Sequence, residues 1–110
     1  MIFIGQYEEL YPGNGYPSMR NFFSDSPYEG QGKIIYYLKH GKRDMISDKV
    51  PRDVFTGEVI LMPLIRMNDG EFSWFMPLAY YVEHYNLRLP KEFEERILRH
   101  RFINDKRRFK

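Results

Sequence analysis

The apolar positions of this chain recur at two spacings, and each spacing predicts a different kind of element. The stretch that ends at Gly41 places Ile and Leu three to four residues apart, which is typical of an amphipathic helix with a left-handed glycine terminator. Ser26 and Glu29 upstream fit a capping box, which predicts Ser26 as the N-cap and Pro27 as the first helical residue. Gly30 and Gly32 weaken its first half, so a later start is the alternative.

Four apolar runs of strand length predict a small sheet. Residues 1–4 form the first run, and residues 45–50 form a short second one. Residues 59–67 and 72–75 lie on either side of an Asn-Asp-Gly turn at positions 68–70, which predicts an antiparallel hairpin. The sheet is therefore expected to be mostly antiparallel.

Two further helices are predicted near the end of the chain. Pro77 opens the first of them, which ends at Asn86, and Pro90 opens the second. The second helix carries acids in its first turn and arginines in its last turns, which matches the helix dipole at both ends. Phe93 and Ile97 form its buried stripe.

The elements predict an α+β fold: a single domain over residues 1–110, with a small, mostly antiparallel sheet packed with about three helices. A chain of 110 residues with 43% apolar residues is long enough for one core. The absence of cysteine excludes disulfides and thiolate chemistry. No apolar run approaches the roughly 20 residues of a membrane span. The N-terminus lacks the basic residues with which a secretory signal begins, so no such signal is expected. We therefore expect a cytoplasmic protein with no membrane partner.

The net charge of +2 divides unevenly along the chain. Residues 96–110 hold seven bases and one acid, a net charge of +6, and predict a basic helical extension of the domain from about residue 96. Residues 1–95 hold ten bases and fourteen acids, a net charge of −4. Because the body is acidic, a basic partner suits it better than a polyanion does.

No pattern of catalytic or ligand-binding residues stands out. None of the three histidines, His40, His84 and His100, lies at a helix-face spacing from another, so a metal site or an acid–base pair would have to assemble from distant elements. No serine lies in a nucleophile elbow, and the glycine-rich stretches lack the lysine of a phosphate loop. We predict no catalytic residues, no metal and no cofactor, and a protein that is not an enzyme.

Acidic and aromatic residues form the first candidate binding set. Six carboxylates of the loop-rich middle and the hairpin suit the steering of a basic protein partner, and two helix tyrosines suit its anchoring. The alternative is that the acids are merely solvated and that the tyrosine rings line the core. The set is Asp44, Asp48, Asp53, Glu58, Asp69, Glu71, Tyr36 and Tyr80.

Basic residues near the C-terminus form the second set, which suits nucleic-acid binding. This function is the less favoured alternative, because the body is acidic and no fold-level nucleic-acid motif accompanies the bases. The bases could instead complete a helix C-terminus and pair with the acidic body or with a second copy, which would make a homo-oligomer. The set is Arg101, Lys106, Arg107, Arg108 and Lys110.

Several motifs resemble a family of small bacterial proteins of unassigned function, which includes immunity proteins of contact-dependent growth inhibition. The C-terminal half reads as an Asp-Gly turn at 69–70 followed by aromatics, Tyr-Tyr-Val-Glu at 80–83 and Leu-Pro-Lys-Glu-Phe at 89–93. Upstream, Ile-Tyr-Tyr-Leu-Lys-His-Gly at 35–41 resembles the family's helix, and Thr-Gly-Glu-Val-Ile at 56–60 resembles its strand start.

The resemblance implies a cytoplasmic immunity protein that binds and neutralises a cognate toxin domain by covering its active site. Because nucleases that grip phosphate are basic, the acidic body favours a nuclease toxin. The chain departs from the family at residues 45–54 and in the length of the extension after Arg96. An individual stretch is expected where an immunity protein excludes non-cognate toxins.

Overall fold

A computed structural model describes residues 1–100 of the chain, and the fold is α+β. The elements follow one another as β1 (Ile2–Phe3), a 3₁₀ turn (Met19–Phe22), α1 (Gln31–Lys39), β2 (Lys42–Ser47), β3 (Leu64–Asn68), β4 (Phe72–Phe75), α2 (Leu78–Tyr85) and α3 (Lys91–Arg99). The part of the predicted basic extension that follows residue 100 lies outside the described residues.

The four strands form one mixed sheet in the order β1-β4-β3-β2. The β3–β4 hairpin is antiparallel, as its Asn-Asp-Gly turn predicts, and β2 also runs antiparallel to β3. Only β1 runs parallel to its neighbour, β4. The expectation of a small, mostly antiparallel sheet with about three helices is confirmed.

The core lies between one face of this sheet and the helices. Trp74 of β4 is fully buried, and its indole N–H donates to the backbone oxygen of Leu38 in α1 at 2.9 Å. Phe93 of α3 packs on the rings of Phe72 and Trp74, with ring centroids 4.8 and 5.3 Å apart. Because side chains alternate along a strand, Phe75 points to the opposite face, which none of these helix contacts reaches.

The first helix begins later than the capping box predicts. Its N-cap is Gly30, and Gln31, rather than Ser26, accepts the backbone N–H of Tyr28 through its side-chain oxygen. Gly30 has a φ of +84°, and a Cβ there would lie 2.7 Å from a methyl group of Leu98. The alternative of a later start is correct, because the left-handed φ of Gly30 cannot continue a right-handed helix, and α1 begins at the next residue.

The helix ends near Gly41 as predicted, but the reason given for the glycine is wrong. The φ of Gly41 is not positive, and the C-cap of α1 is His40. A Cβ at Gly41 would lie 2.9 Å from the ring of Trp74 and 3.0 Å from the carbonyl oxygen of Asn68. Close packing, rather than a left-handed conformation, requires the glycine here.

The predicted bounds of two strands shift in the structure. β2 covers Lys42–Ser47 rather than 45–50, and β3 covers Leu64–Asn68, so it begins later than the predicted run 59–67 and ends one residue beyond it. Pro63 precedes β3, and a proline cannot donate to a strand ladder. The helices opened by Pro77 and Pro90 are present as predicted. No helix within residues 1–100 combines the length and the apolar character that crossing a membrane requires.

Candidate functional site

Exposed apolar side chains concentrate on β2 and on the loop that follows it. Of the twelve large hydrophobic residues exposed among residues 1–100, six lie between positions 45 and 61. Leu61 is the extreme case, because 93% of it is accessible to solvent. We call residues 42–61 the β2–loop face; its exposed apolar residues are Met45, Ile46, Val50, Val54, Val59 and Leu61.

The strand in this face forms one edge of the sheet. β2 pairs with β3 on one side only, and residues 42–46 are all exposed. The register shifts between Arg43 and Met45, so a bulge bends the strand near its start. An edge strand offers unpaired backbone N–H and C=O groups to another chain, and bulges and charged residues restrict how such a chain can pair.

The loop of this face is fixed to α2 by a buried carboxylate. Asp53 is only 1% exposed. Its Oδ2 atom accepts hydrogen bonds from the hydroxyls of Tyr80 and Tyr85, each at 2.6 Å. Its Oδ1 atom accepts from the backbone N–H groups of Phe55 at 2.7 Å and Thr56 at 3.2 Å. Asp53 is therefore buried and bonded within the protein, so the expectation that it faces a partner is wrong, whereas Tyr80 is half-buried and remains a predicted partner residue.

These donors keep Asp53 charged although it is buried. Burial by itself raises the pKa of this carboxyl, but the two tyrosine hydroxyls and the two backbone N–H groups outweigh it and hold the pKa below its ordinary value. The same contacts raise the pKa of the tyrosines. The hydrogen bond to Asp53, together with burial, raises the pKa of Tyr80 to about 12. Burial, together with the hydrogen bond to Asp53, also raises the pKa of Tyr85.

A third tyrosine of α2 binds the backbone of the loop. The hydroxyl of Tyr81 accepts the N–H of Val54 at 3.1 Å and donates to the carbonyl oxygen of Arg52 at 3.3 Å. The ring of Phe55 packs against the rings of Phe23 and Tyr85, with centroids 5.6 and 5.2 Å apart. The segment that carries the exposed apolar residues is thus fixed to α2 by hydrogen bonds and ring contacts.

A second carboxylate, Asp69, ties the β3–β4 turn to two helices. Its Oδ2 atom accepts from the Tyr37 hydroxyl at 2.6 Å and from Nε of Arg96 at 2.8 Å. Nη1 of Arg96 also donates to Glu71 at 3.0 Å. Burial raises the pKa of Asp69, but these bonds and those from backbone N–H groups lower it below its ordinary value. Asp69 is therefore largely buried and paired within the protein, which corrects its expected role as a free steering charge, whereas Glu71 is exposed and remains a predicted partner residue.

The remaining predicted residues occupy more open positions. Asp44 accepts the side-chain amide of Asn68 at 2.6 Å, whereas Asp48 and Glu58 are exposed in the β2–loop face. Tyr36 is 40% exposed, and its ring stacks on His40 with centroids 3.9 Å apart. The six predicted carboxylates therefore do not form one acidic surface. The β2–loop face itself holds four bases and four acids, so its net charge is zero.

The fold also brings together residues that lie far apart in the sequence. His40 and His100 line the same cleft of about 430 Å³ with Tyr37, Lys42 and Arg96. No sequence signal links the two histidines, because they follow the ends of different helices, α1 and α3. The carboxylate in this cleft, that of Asp69, already accepts four hydrogen bonds and is a poor general base. Within residues 1–100, no group of His, Cys, Asp and Glu side chains is arranged to hold a metal ion.

The alternative nucleic-acid set falls outside this description. Its residues, Arg101, Lys106, Arg107, Arg108 and Lys110, all follow residue 100.

Comparison with known proteins adds no relative. No protein-family model, no curated protein and no solved structure matches the chain.

Proposed function

We propose that this chain is a protein-binding module of the immunity type, which neutralises a bacterial toxin domain without catalysis of its own. The observation that supports it is the β2–loop face, where half of the exposed large apolar residues of positions 1–100 occupy one continuous segment. Exposing such side chains to water is unfavourable, and a segment that exposes several of them is a candidate interaction site.

The composition of the face supports a protein partner. It combines aliphatic side chains with four bases and four acids. Aliphatic contacts supply affinity, and interspersed charges of both signs supply specificity, since a wrong partner leaves some of them unpaired. The open edge of β2 adds backbone groups with which a partner strand can pair.

The position of the face within the chain supports the immunity role. The motifs that resemble immunity-type proteins end at Gly41 and resume at Thr56, and the individual stretch 45–54 lies between them. In the fold that individual stretch carries four of the six exposed apolar side chains of the face. A family that shares a scaffold and varies its binding surface would place its differences there.

The toxin class rests on charge. Residues 1–95 carry a net charge of −4, which favours a basic toxin domain such as a nuclease. Because the β2–loop face is itself neutral, this attraction acts at long range from the whole body, while the apolar contacts determine how long the complex lasts. The bound protein would cover the toxin's active site or the path of its substrate.

Co-expression tests the proposal. The toxin domain encoded immediately upstream is expressed alone and together with this chain, and growth and complex formation are measured. We expect rescued growth and a complex that survives size-exclusion chromatography at micromolar concentration. Failure of both, with both proteins folded, would rule out the immunity role.

A matched pair of variants tests the face. Ile46 in β2 is 67% exposed, and Ile2 in β1, at the opposite edge of the sheet, is 52% exposed. We expect Ile46→Asp to weaken binding at least tenfold and Ile2→Asp to leave it unchanged.

Deletion of residues 106–110 tests the nucleic-acid alternative. Loss of a steeply salt-dependent DNA or RNA affinity, with toxin binding intact, would assign those residues a separate function.

A further inference from the structure

The open face of the sheet contains an apolar groove that residues of the β2–loop face line in part. The groove has a volume of about 430 Å³ and runs between the N-terminal loop and residues 49–60. Phe3 and Phe75 lie in it, with their rings edge to face at a centroid distance of 5.7 Å. Leu64 and Ile60 continue the apolar lining. Volumes of this size and linings of this kind are typical of sites for small organic ligands.

The charges that line the groove are all of one sign. Lys49 and Arg52 line it, and no aspartate or glutamate of the described residues does. A concave apolar surface with cations at its edge concentrates anions, because low-dielectric walls focus the field of those cations.

One of these cations is held in place by the fold. The backbone oxygen of Arg52 accepts the Tyr81 hydroxyl at 3.3 Å, and its Nη1 atom donates to the carbonyl oxygen of Gly57 at 3.0 Å. This is the only hydrogen bond that the Arg52 guanidinium makes within residues 1–100, so further N–H donors are available to a ligand. A guanidinium with two adjacent donors suits a carboxylate, which it can bind through both oxygens.

We propose that this groove binds a small amphipathic carboxylate, with the alkyl or aryl part against Phe3 and Phe75 and the carboxylate at Arg52 and Lys49. The hydrophobic effect supplies the affinity for the apolar part, and the two cations select the charge of the head group. The proposal does not depend on a protein partner, so its test uses the free protein.

Three amphiphiles with the same alkyl chain length separate the contribution of the apolar chain from that of the head-group charge. Decanoate, decanol and decyltrimethylammonium are titrated into the full chain, the two ions below their micelle concentrations and decanol below its solubility limit, and binding is followed by calorimetry and by amide NMR shifts. We expect decanoate to bind at least about tenfold more tightly than decanol, and the cationic amphiphile to bind most weakly. Amide shifts caused by decanoate should centre on residues around Phe3, Leu64 and Phe75. Equal affinity for all three, no binding, or shifts centred elsewhere would overturn the proposal.

Charge variants locate the head group. The double variant Lys49→Gln with Arg52→Gln should bind decanoate no more tightly than decanol, while decanol binding stays at the wild-type value. Arg43→Gln, which removes an exposed base of β2 that does not line the groove, is the matched control and should leave the preference for decanoate intact. Retention of that preference in the double variant would contradict the assignment of these two cations.

Discussion

The hydroxyl of Tyr80 donates a hydrogen bond to the buried carboxylate of Asp53 at 2.6 Å, across 27 residues of sequence. This bond joins α2 to the loop that carries much of the β2–loop face. Without a fixed loop, the exposed apolar residues would have to be ordered at the moment of binding, which costs conformational entropy. The contact therefore connects the core of the protein to its proposed function.

Replacing Asp53 by Asn should destabilise the protein by about 2–3 kcal/mol, because the amide offers one acceptor oxygen to four donors and directs N–H groups at some of them. Urea or guanidinium unfolding measures the change. The matched control is Asp48→Asn, at an exposed position, which should shift the free energy of unfolding by less than about 0.5 kcal/mol. Equal, small effects of both substitutions would show that the Asp53 contacts do not stabilise the fold.

Acid should destabilise the protein through Asp53 and Asp69. The pKa of each is lowered in the fold from its ordinary value of 3.8, so each stabilises the folded state at a pH above that value. This contribution is lost as the pH falls below 3.8 towards the lower pKa of the folded state. Unfolding measured between pH 7 and pH 2 should show the loss, and Asp53→Asn should flatten the curve. A wild-type curve that stays flat as the pH falls would contradict the assignment.

Two glycines of the α1 region should respond in opposite ways to alanine. A Cβ at Gly41 would lie 2.9 Å from the Trp74 ring, so Gly41→Ala should cost about 1–3 kcal/mol through overpacking. A Cβ at Gly32, inside α1, would meet nothing within 4 Å, so Gly32→Ala should stabilise the protein by about 0.5–1 kcal/mol. Thermal and chemical unfolding measure both. Tolerance of alanine at Gly41 would show that the Trp74 ring can move away from this residue without a loss of stability.

Removing the guanidinium of Arg96 should detach the β3–β4 turn from α3. Arg96→Met leaves Asp69 with one donor fewer at a largely buried position, and we expect a loss of about 1–2 kcal/mol. Arg99→Met removes an exposed base from the same helix and should have little effect. Hydrogen exchange at Phe72, whose N–H donates to Asp69, reports on the turn directly. Unchanged exchange at that amide in Arg96→Met would disprove the link.

The local elements could be predicted where short-range signals determine them. The hairpin follows from Asn-Asp-Gly, and α2 and α3 begin where Pro77 and Pro90 predict. The start of α1 has two competing local signals, because Ser26 offers a cap while Gly30 and Gly32 favour a later start. The two glycines therefore mark the boundary locally, and the left-handed φ of Gly30 decides between the two possible starts.

The site could be predicted only in part. Asp48 and Glu58 are exposed, as carboxylates of a loop-rich segment usually are, but Asp53 is buried. An Asx-type turn is readable from Asp-Val-Phe-Thr-Gly at 53–57, since an aspartate often accepts backbone N–H groups two or three residues on. The two tyrosine donors that permit its burial stand 27 and 32 residues away, so only the fold reveals them.

The central claim, that the β2–loop face binds a protein toxin, is tested most directly by amide hydrogen exchange of the chain alone and in complex with the toxin domain encoded beside it. The account predicts that exchange slows at residues 42–61 in the complex, most strongly at outward-facing amides of β2, while the opposite edge at β1 is unchanged. Protection confined to surfaces away from residues 42–61 would contradict it.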